Sequence, residues 1–336
     1  MFKNIVKVDY NNKMVDFPYF IQLYPTLRCN QNCLFCFNRA ISDPSSYNDM
    51  KVRDAYALSN LLIDLGVHEL DILGGEPLLL PWIKDFVNDV TDSGLIINLS
   101  TNGGLPDIIY RLSEVGTDLM NVGFSLHGFS GTHNALTQAD NFSKTVEGIK
   151  RMVRAGKNPI VKSVLTRVNM TQIYDLVDYL KNLGVKRYFL LHEDLVGRQN
   201  FSSCFSFPEF REFHEKLNEA SDIGFVAASG FFKRGINAPG RCDAGTKKIA
   251  IMPDGSAFPC NLFAAFQEFR LGNVFTDGIE KIWRNPILEH FRQLTGNNRC
   301  ERSDCEHHST CRGGCPAHSF YFYGTLDAVD PRCSNR

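Results

Sequence analysis

The stretch Cys29-Asn30-Gln31-Asn32-Cys33-Leu34-Phe35-Cys36 places three cysteines four and then three positions apart. It follows an apolar run, residues 20–24, that has the composition of a strand. Thiolates so close along the chain can converge on one metal centre. Three protein ligands leave a coordination position open, which a catalytic iron needs in order to hold a substrate or a cofactor. The stretch therefore predicts a catalytic metal centre on the loop after the first strand.

The alternative interpretation of these cysteines is a zinc knuckle or a set of structural thiols. Zinc sites usually pair C-x2-C units with a nearby fourth ligand, and no further cysteine occurs before Cys204. The C-x3-C-x2-C spacing, with Phe35 before the last cysteine, resembles the signature loop of radical S-adenosylmethionine (SAM) enzymes. The resemblance implies that Cys29, Cys33 and Cys36 hold a 4Fe-4S cluster whose unique iron binds SAM, with Phe35 beside the cofactor. Reductive cleavage of SAM would then give a 5′-deoxyadenosyl radical that abstracts a hydrogen atom from the substrate.

The composition limits which classes of protein this chain can belong to and indicates its cellular compartment. The chain has 336 residues, a formal net charge of -1 and an ordinary apolar content, so it can bury a sizeable core. The balanced charge argues against nucleic acid or a membrane surface as a partner, and no apolar run is long enough for a membrane span. Residues 1–10 lack the apolar centre of a signal peptide. We therefore expect a cytoplasmic protein with eleven cysteines, for which metal binding is favoured over disulfides, although a lone cysteine such as Cys204 is usually a free thiol.

Apolar runs that are typical of strands alternate with helical periodicity from residue 18 to residue 220. The runs cover residues 18–27, 68–74, 95–101, 121–127, 159–167 and 186–193. Predicted helices begin at Pro106, Ser143 and Thr171, end at Gly66, Gly94, Gly116, Gly156 and Gly184, and include one over 207–220. Repeated strand–helix units predict a parallel sheet, either doubly wound or curled into a barrel. The resemblance implies the second, an α/β fold built as a (β/α)6 partial barrel.

Polar residues and glycines follow the predicted strands, at the edge of a parallel sheet where chemistry is usually located. Gly74-Gly75-Glu76-Pro77 resembles the family's GGEP motif, which contacts the methionyl ammonium of SAM, although a glycine-rich turn is the alternative. The resemblance also implies cofactor contacts for Asn102 and Ser125, the latter with the ribose. His127 is either an acid or base at the substrate or a structural turn residue. Residues 166–169 and 192–194 would line the same mouth.

A second group of seven cysteines occupies the last part of the chain. They are Cys242, Cys260, Cys300, Cys305, Cys311, Cys315 and Cys333. Asp254-Gly255 predicts a hairpin turn that brings Cys242 and Cys260 together, and residues 276–295 have helical periodicity. Two zinc ions are one interpretation. The order of the cysteines, with Cys311-Arg312-Gly313-Gly314-Cys315-Pro316, instead resembles the SPASM domain, an extension in one radical SAM subfamily that holds two auxiliary 4Fe-4S clusters.

The SPASM resemblance implies a ligand set for each auxiliary cluster. Auxiliary cluster I would use Cys242, Cys260 and Cys315, and auxiliary cluster II would use Cys300, Cys305, Cys311 and Cys333. Cluster I then has no fourth cysteine between its first two, so its fourth position is either open or closed by Cys204 or Asp243. Four residues separate the first two ligands of cluster II, where the family usually has two. His307 and His308 lie in this loop, and we expect them to support it rather than to bind metal.

The resemblance also implies a division of the chain and a function. Residues 1–17 would form a lead-in with a hairpin around Asn11, residues 18–220 the barrel, and residues 221–336 a bridging region and the SPASM domain. Family members with SPASM domains mostly oxidise or cross-link side chains of ribosomally made peptides. We therefore expect a peptide maturase with SAM and three 4Fe-4S clusters as cofactors.

Its expected partners are a precursor peptide and a reductant such as flavodoxin or ferredoxin. Only 28 residues precede Cys29, too few for a winged-helix leader-recognition domain. A leader would thus need a separate recognition protein or direct recognition by the barrel. The alternative functions are sulfatase maturation and radical modification of a small molecule such as a tetrapyrrole or a sugar. A non-catalytic iron–sulfur or zinc protein is a further alternative, against which the GGEP motif argues.

Overall fold

The structure, a computed structural model, describes residues 17–41, 47–197, 204–220, 224–225, 242–296 and 299–333. The predicted hairpin around Asn11 lies outside the described residues, as does most of the predicted bridging region. Among the residues described, no helix is both long enough and apolar enough to cross a membrane.

Six parallel strands form the centre of the sheet. They are β1 (Phe20–Leu23), β2 (Glu69–Ile72), β3 (Ile96–Thr101), β4 (Met120–Ser125), β5 (Ile160–Leu165) and β6 (Arg187–His192). Strands that are consecutive in the chain are also neighbours in the sheet, from β1 to β6. The order of a doubly wound sheet reverses at one point, whereas the order from β1 to β6 does not. Right-handed crossovers then place the helices on one face, and the partial barrel implied by the resemblance is confirmed.

Helices cover the outer face of these strands. They are α1 (Val52–Asp64), α2 (Ile83–Asp92), α3 (Pro106–Ser113), α4 (Ser130–Thr137), α5 (Phe142–Arg154), α6 (Ile173–Asn182) and α7 (Phe207–Ala220). Apolar residues at helical spacing explain their packing, as in α1, where Ala55, Leu58 and Leu62 are all buried. Two predicted starts are wrong by one or two residues. Asn141 rather than Ser143 precedes α5, and Thr171 lies in a 3-10 turn that delays the start of α6.

The C-terminal region continues the same sheet. Strand β8 (Lys248–Ile251) pairs in parallel with β1, with Ile251 opposite Leu23. Strand β9 (Ser256–Phe258) returns antiparallel after the Asp254-Gly255 turn, as predicted, and β10 (Gly272–Asn273) follows it. Strand β7 (Gly224–Phe225) pairs with β6 at the opposite edge. The region that carries Cys242 and Cys260 is therefore joined directly to the strand that leads into the first cysteine loop.

Four short helices follow this extension: α8 (Ile279–Trp283), α9 (Pro286–Gly296), α10 (His308–Cys311) and α11 (Pro316–Tyr323). The helical periodicity over residues 276–295 is confirmed, but it corresponds to two helices, because Pro286 cannot continue α8 and instead begins α9. Phe258, Phe263 and Phe291 form the centre of a second buried core in this region. The cysteine-rich region is thus packed by its own apolar residues as well as by the shared sheet.

Side chains of the central strands alternate between two environments. In β2, Leu70 and Ile72 are buried under the helices, whereas Glu69 and Asp71 are only partly buried. Strands β3 and β6 show the same alternation. A parallel sheet that is covered on both faces has nearly continuous apolar strands. The inner face of the partial barrel is therefore accessible.

Candidate active site

The first cysteine loop, Cys29 to Cys36, is held by helix α4. The main-chain N–H groups of Asn32 and Leu34 donate to the carbonyl oxygens of Thr137 and Leu136 at 3.1 and 2.9 Å. Carbonyl groups in the last turn of a helix lack partners within the helix, so the loop satisfies them. The sequence does not predict α4, because its buried side includes His133 and Thr137 rather than a full apolar stripe. The fold itself therefore fixes this loop.

The three thiols of the loop lie close enough together to affect each other's ionisation. Burial, followed by the nearby sulfurs of Cys36 and Cys29, raises the pKa of Cys33 to about 12. Thiols that suppress each other's ionisation need a cation before they can serve as thiolate ligands. The donor set therefore fits a 4Fe-4S cluster. In the described part of the chain, no three His, Cys, Asp or Glu side chains are grouped to hold one metal ion, whereas cluster thiolates each bind a different iron.

The two glycines of the GGEP motif pack against the segment that leads into Cys29. A Cβ on Gly75 would lie 2.1 Å from the carbonyl oxygen of Arg28, and one on Gly74 would lie 2.3 Å from that of Thr26. The N–H of Gly75 donates to Thr26 at 2.9 Å, and that of Glu76 donates to Arg28 at 2.8 Å. The sequence predicts a close approach to a ligand. The structure adds a close approach to the chain itself, and contact with SAM stays a prediction.

Glu76 is 1% exposed and already accepts three hydrogen bonds. Its Oε1 accepts from Leu78 N–H at 3.0 Å and from the Thr101 hydroxyl at 2.9 Å. Its Oε2 accepts from Asn102 N–H at 2.7 Å. Burial raises the pKa of Glu76 to about 7, although these hydrogen bonds oppose the rise. A carboxylate has about four acceptor positions, so one remains for a ligand such as an ammonium group. Pro77 begins a 3-10 turn directly after it.

Asn102 connects the GGEP motif to the first cysteine. Its Nδ2 donates to Asn30 Oδ1 at 2.7 Å and lies 3.8 Å from Cys29 Sγ. Its main-chain N–H is the group that binds Glu76, and its carbonyl accepts from the Thr145 hydroxyl at 2.8 Å. One residue at the end of β3 therefore contacts both parts of the predicted cofactor site.

We expect Asn102→Leu to shift the reduction potential of the cluster at Cys29 to a more negative value, by tens of millivolts. An N–H group near the sulfur stabilises the reduced, more negative cluster, and leucine has no donor. A redox titration followed by electron paramagnetic resonance measures this potential in the reconstituted protein. Asn88→Leu, on helix α2, is the control and should leave it unchanged. An unshifted potential in Asn102→Leu would show that the amide does not act on the cluster.

His127 follows β4 and is buried beneath the cysteine loop. Its ring packs edge-on against Phe35, with 4.6 Å between ring centres. Its Nδ1 accepts from the N–H of Val164 at 3.2 Å, and burial lowers its pKa to about 3. Burial and the contact with Phe35 favour the structural alternative, and the role of His127 as an acid or base at the substrate stays a prediction. Ser125, the predicted ribose contact, lies partly buried at the end of β4.

The structure brings together the cysteines expected for auxiliary cluster I. Burial, followed by the nearby Cys315 and Cys260 sulfurs, raises the pKa of Cys242 to about 12. Burial likewise raises the pKa of Cys260 to about 11. Cys315 precedes α11, and its N–H donates to Asp330 at 2.9 Å. These three thiols form a second cysteine donor set, in which, against the effect of burial, His318 helps to lower the pKa of Cys315.

The cysteines expected for auxiliary cluster II lie near the C-terminal end of the described chain. Burial raises the pKa of Cys311 to about 11, and the nearby Cys333 contributes to the rise. His308 Nε2 donates to the carbonyl oxygen of Cys300 at 2.8 Å, and the His307 carbonyl accepts from Cys311 N–H at 2.7 Å. The His308 side chain therefore contacts the backbone of Cys300, and the supporting role of the two histidines stays a prediction.

Cys204 is buried near the end of β6. Its Sγ lies 3.3 Å from the carbonyl oxygen of Phe205 and 3.7 Å from His192 Nε2. The Asp243 carbonyl accepts from the N–H groups of Lys247 and Lys248. The assignment of Cys204 or Asp243 to the fourth position of auxiliary cluster I stays a prediction.

The inner face of the partial barrel carries a row of polar side chains that we did not predict. We call this face the polar groove, and it consists of Glu69, Asp71, Asn98, Ser100, Asn121, Lys162 and Arg187. The signal was present in the sequence, because polar residues alternate with apolar ones inside the predicted strands. A parallel strand buried on both faces lacks that alternation. The groove runs toward the strand ends that carry the cysteine loop and the GGEP motif.

Comparison with known proteins assigns the family. Residues 23–183 match the radical SAM superfamily, and residues 242–316 match the SPASM iron–sulfur cluster-binding domain. This chain belongs to the radical SAM superfamily. It is an enzyme of that superfamily, and its two domains imply SAM and iron–sulfur clusters as cofactors.

This radical SAM enzyme is similar in sequence to a maturase and to a bacteriocin biosynthesis protein, and in fold to a third protein. It is 26% identical over 322 residues to mycofactocin maturase MftC of Mycobacterium ulcerans, across 92% of this chain and 85% of MftC. It is 27% identical over 302 residues to the subtilosin biosynthesis protein AlbA of Bacillus subtilis, across 86% of this chain and 65% of AlbA. Its fold matches Streptococcus suis SuiB bound to the precursor peptide SuiA, with a TM-score of 0.79 at 19% identity, across 96% of this chain and 77% of SuiB.

Proposed function

We propose that this radical SAM enzyme is a peptide maturase that oxidises or cross-links side chains of a ribosomally made peptide. The observation that carries the proposal is the accessible polar groove, which ends where the cysteine loop and Glu76 meet. A peptide side chain in this groove would lie beneath the cofactor site. The maturase name of MftC, the bacteriocin biosynthesis name of AlbA and the precursor peptide on SuiB support this class of substrate.

The proposed cofactors are one SAM and three 4Fe-4S clusters. The SAM-binding cluster would use the first three cysteines, cluster I would use Cys242, Cys260 and Cys315, and cluster II would use Cys300, Cys305, Cys311 and Cys333. The SAM contacts would come from residues 74–77, Phe35, Asn102 and Ser125. When bound, SAM and its reduced cluster supply a 5′-deoxyadenosyl radical that removes a hydrogen atom from the peptide.

The residues of this chain would position the reactants. Glu76, held by Thr101 and Asn102, keeps one acceptor position for the methionyl ammonium. The buried hydroxyl of Tyr24, at the end of β1, interacts electrostatically with both Cys260 and Cys36. Cys260, an expected ligand of auxiliary cluster I, and Cys36 of the first cysteine loop therefore both lie near this hydroxyl. A cluster bound at Cys260 would supply electron transfer close to the first loop.

The remaining partners follow from this chemistry. The substrate is a precursor peptide, and a reductant such as flavodoxin or ferredoxin delivers electrons to the clusters. A separate leader-recognition protein is a further proposed partner. We place these partners and the enzyme in the cytoplasm, where thiol ligands stay reduced.

Anaerobic reconstitution with iron, sulfide and SAM tests the proposal. The wild type should cleave SAM to 5′-deoxyadenosine, and Cys33→Ala should lose this activity because one cluster ligand is gone. Leu34→Ala, in the same loop with an exposed side chain, is the matched control and should retain it. Mass spectrometry of a short peptide encoded beside this gene and co-expressed with the enzyme should show the loss of two hydrogens per site. An unchanged peptide mass with intact SAM cleavage would reject peptide maturation and favour sulfatase or small-molecule substrates.

A further inference from the structure

Lys162, on the inner face of β5, reaches across two neighbouring strands. It is in register with Ser125 of β4, yet its Nζ donates to the Ser100 hydroxyl of β3 at 2.8 Å. The side chain therefore passes over Gly123, where a Cβ would lie 2.5 Å from Lys162 Cε and 2.8 Å from Nζ. A glycine inside a strand often marks a close approach, and here the close approach is made by the lysine. The ammonium group thus lies over the middle of the polar groove.

The side chains at the floor of the groove form a hydrogen-bonded chain among themselves. Arg187 Nη1 donates to Asn121 Oδ1 at 3.0 Å, and Asn121 Nδ2 donates to Asn98 Oδ1 at 3.0 Å. Asn98 Nδ2 then donates to Asp71 at 2.8 Å and to Glu69 at 3.1 Å. The guanidinium of Arg187 and the two carboxylates are thus linked through the amides of Asn121 and Asn98, although Arg187 Nε has no hydrogen-bond partner among the described residues. The floor is therefore held together by its own hydrogen bonds, and Lys162 lies above it.

The ammonium group of Lys162 has capacity for a further acceptor. It has three donor hydrogens, and Ser100 accepts one of them. Within the described part of the chain Lys162 forms no ion pair. The charge of Asp71 is felt by the ammonium group only as a longer-range electrostatic attraction. Burial lowers the pKa of Lys162, and the Asp71 charge opposes that shift. A partly buried ammonium with unused donors is a strong binder of carboxylates, because charge-assisted hydrogen bonds are stronger than neutral ones.

We propose that Lys162 binds a carboxylate of the substrate in the polar groove and so selects for peptides that present an acidic group there. This inference rests on the proposed function, since it names a feature of the peptide that the maturase would accept. The ammonium lies below the strand ends that carry the cofactor site, so a bound carboxylate would hold the neighbouring carbon atoms beneath that site. SAM also carries a carboxylate, and the experiment must separate these two sources.

The probes are two short peptides, acetyl-Gly-Glu-Gly-amide and acetyl-Gly-Gln-Gly-amide, titrated by NMR into the reconstituted enzyme with SAM. The wild type should bind the glutamate peptide about tenfold more tightly than the glutamine peptide. Lys162→Met keeps the apolar stem and should abolish this preference. Gly123→Ala should also abolish it, because the new methyl group displaces the lysine. Lys157→Met is the control and should keep the preference, since that ammonium donates to the carbonyl of Thr117.

Equal binding of both peptides by the wild type, or a preference that survives in Lys162→Met, would overturn the proposal. A loss of SAM affinity in Lys162→Met, measured by equilibrium dialysis, would assign the carboxylate to SAM and overturn the role in substrate selection. If iron content or melting temperature shows that Lys162→Met misfolds, Gly123→Ala decides the outcome. Peptide modification is not measured here, so the proposed function can fail in its own test without changing this result.

Discussion

Gly75→Ala is expected to prevent loading of the SAM-binding cluster and to abolish SAM cleavage. The added methyl group would lie 2.1 Å from the carbonyl oxygen of Arg28, which is main chain and cannot rotate away. The segment before Cys29 must then shift, and the hydrogen bonds from Gly75 and Glu76 to that segment are strained. Overpacking against backbone of this kind should lower the free energy of unfolding by about 3 kcal/mol or more.

The measurements for this variant are iron content after anaerobic reconstitution, melting temperature and 5′-deoxyadenosine formation. Gly116→Ala is the matched control, because a Cβ there meets no atom within 4 Å and the glycine has no left-handed backbone angle. It should behave as wild type. A Gly75→Ala protein with normal iron content and normal stability would show that the glycine serves only the ligand, as the sequence alone suggests.

Both cysteine groups and the fold class could be predicted because their signals are local in the sequence. The spacing of Cys29, Cys33 and Cys36 is contained in eight residues, and each of the six central strands lies, to within one residue, in one predicted strand segment of the sequence. The order of the strands could not be derived from those runs. It came from the family resemblance, and the sheet order confirms it.

The contacts that support the site could not be predicted, because they join residues far apart in the chain. Asn102 binds Cys29 and Glu76 from the end of another strand, and α4 holds the cysteine loop through main-chain carbonyls that any sequence would supply. The role of His127 likewise cannot be predicted from the sequence. A histidine at a strand end is equally suited to catalysis and to packing, and its burial against Phe35, which favours packing, is visible only in the structure.

Asp330→Asn is expected to lower the free energy of unfolding by about 3–5 kcal/mol, because it removes the hydrogen-bonded counter-charge of the buried Arg332 and leaves the more distant Asp194, at 3.9 Å. Asp330 Oδ2 accepts from Arg332 Nη2 and from Cys315 N–H, both at 2.9 Å, and Oδ1 accepts from Arg332 Nε at 3.1 Å. Arg332 in turn donates to the carbonyl of Glu193 at 3.0 Å. This single carboxylate therefore joins a ligand of auxiliary cluster I to the C-terminal segment and to the end of β6.

The pH dependence of stability separates this ion pair from a general packing defect. Burial alone would raise the pKa of Asp330, but Arg332 and His318 outweigh it and hold the pKa well below its usual value. The pair therefore stabilises the fold above the unfolded-state pKa of about 4, and this contribution is lost as the pH falls through the folded-state pKa. Chemical denaturation at a series of pH values should show a steeper loss of stability on acidification for the wild type than for Asp330→Asn.

Asp327→Asn is the control for this comparison, because its side chain is 70% exposed and lies three residues away. It should leave both stability and iron content unchanged. Iron measured in the Cys29→Ala background, where the auxiliary clusters dominate, should fall in Asp330→Asn because the backbone of Cys315 loses its acceptor. Full auxiliary iron together with wild-type stability in Asp330→Asn would show that the buried pair is replaceable by neutral hydrogen bonds. The SPASM cysteines would then be held in place chiefly by the second apolar core around Phe263.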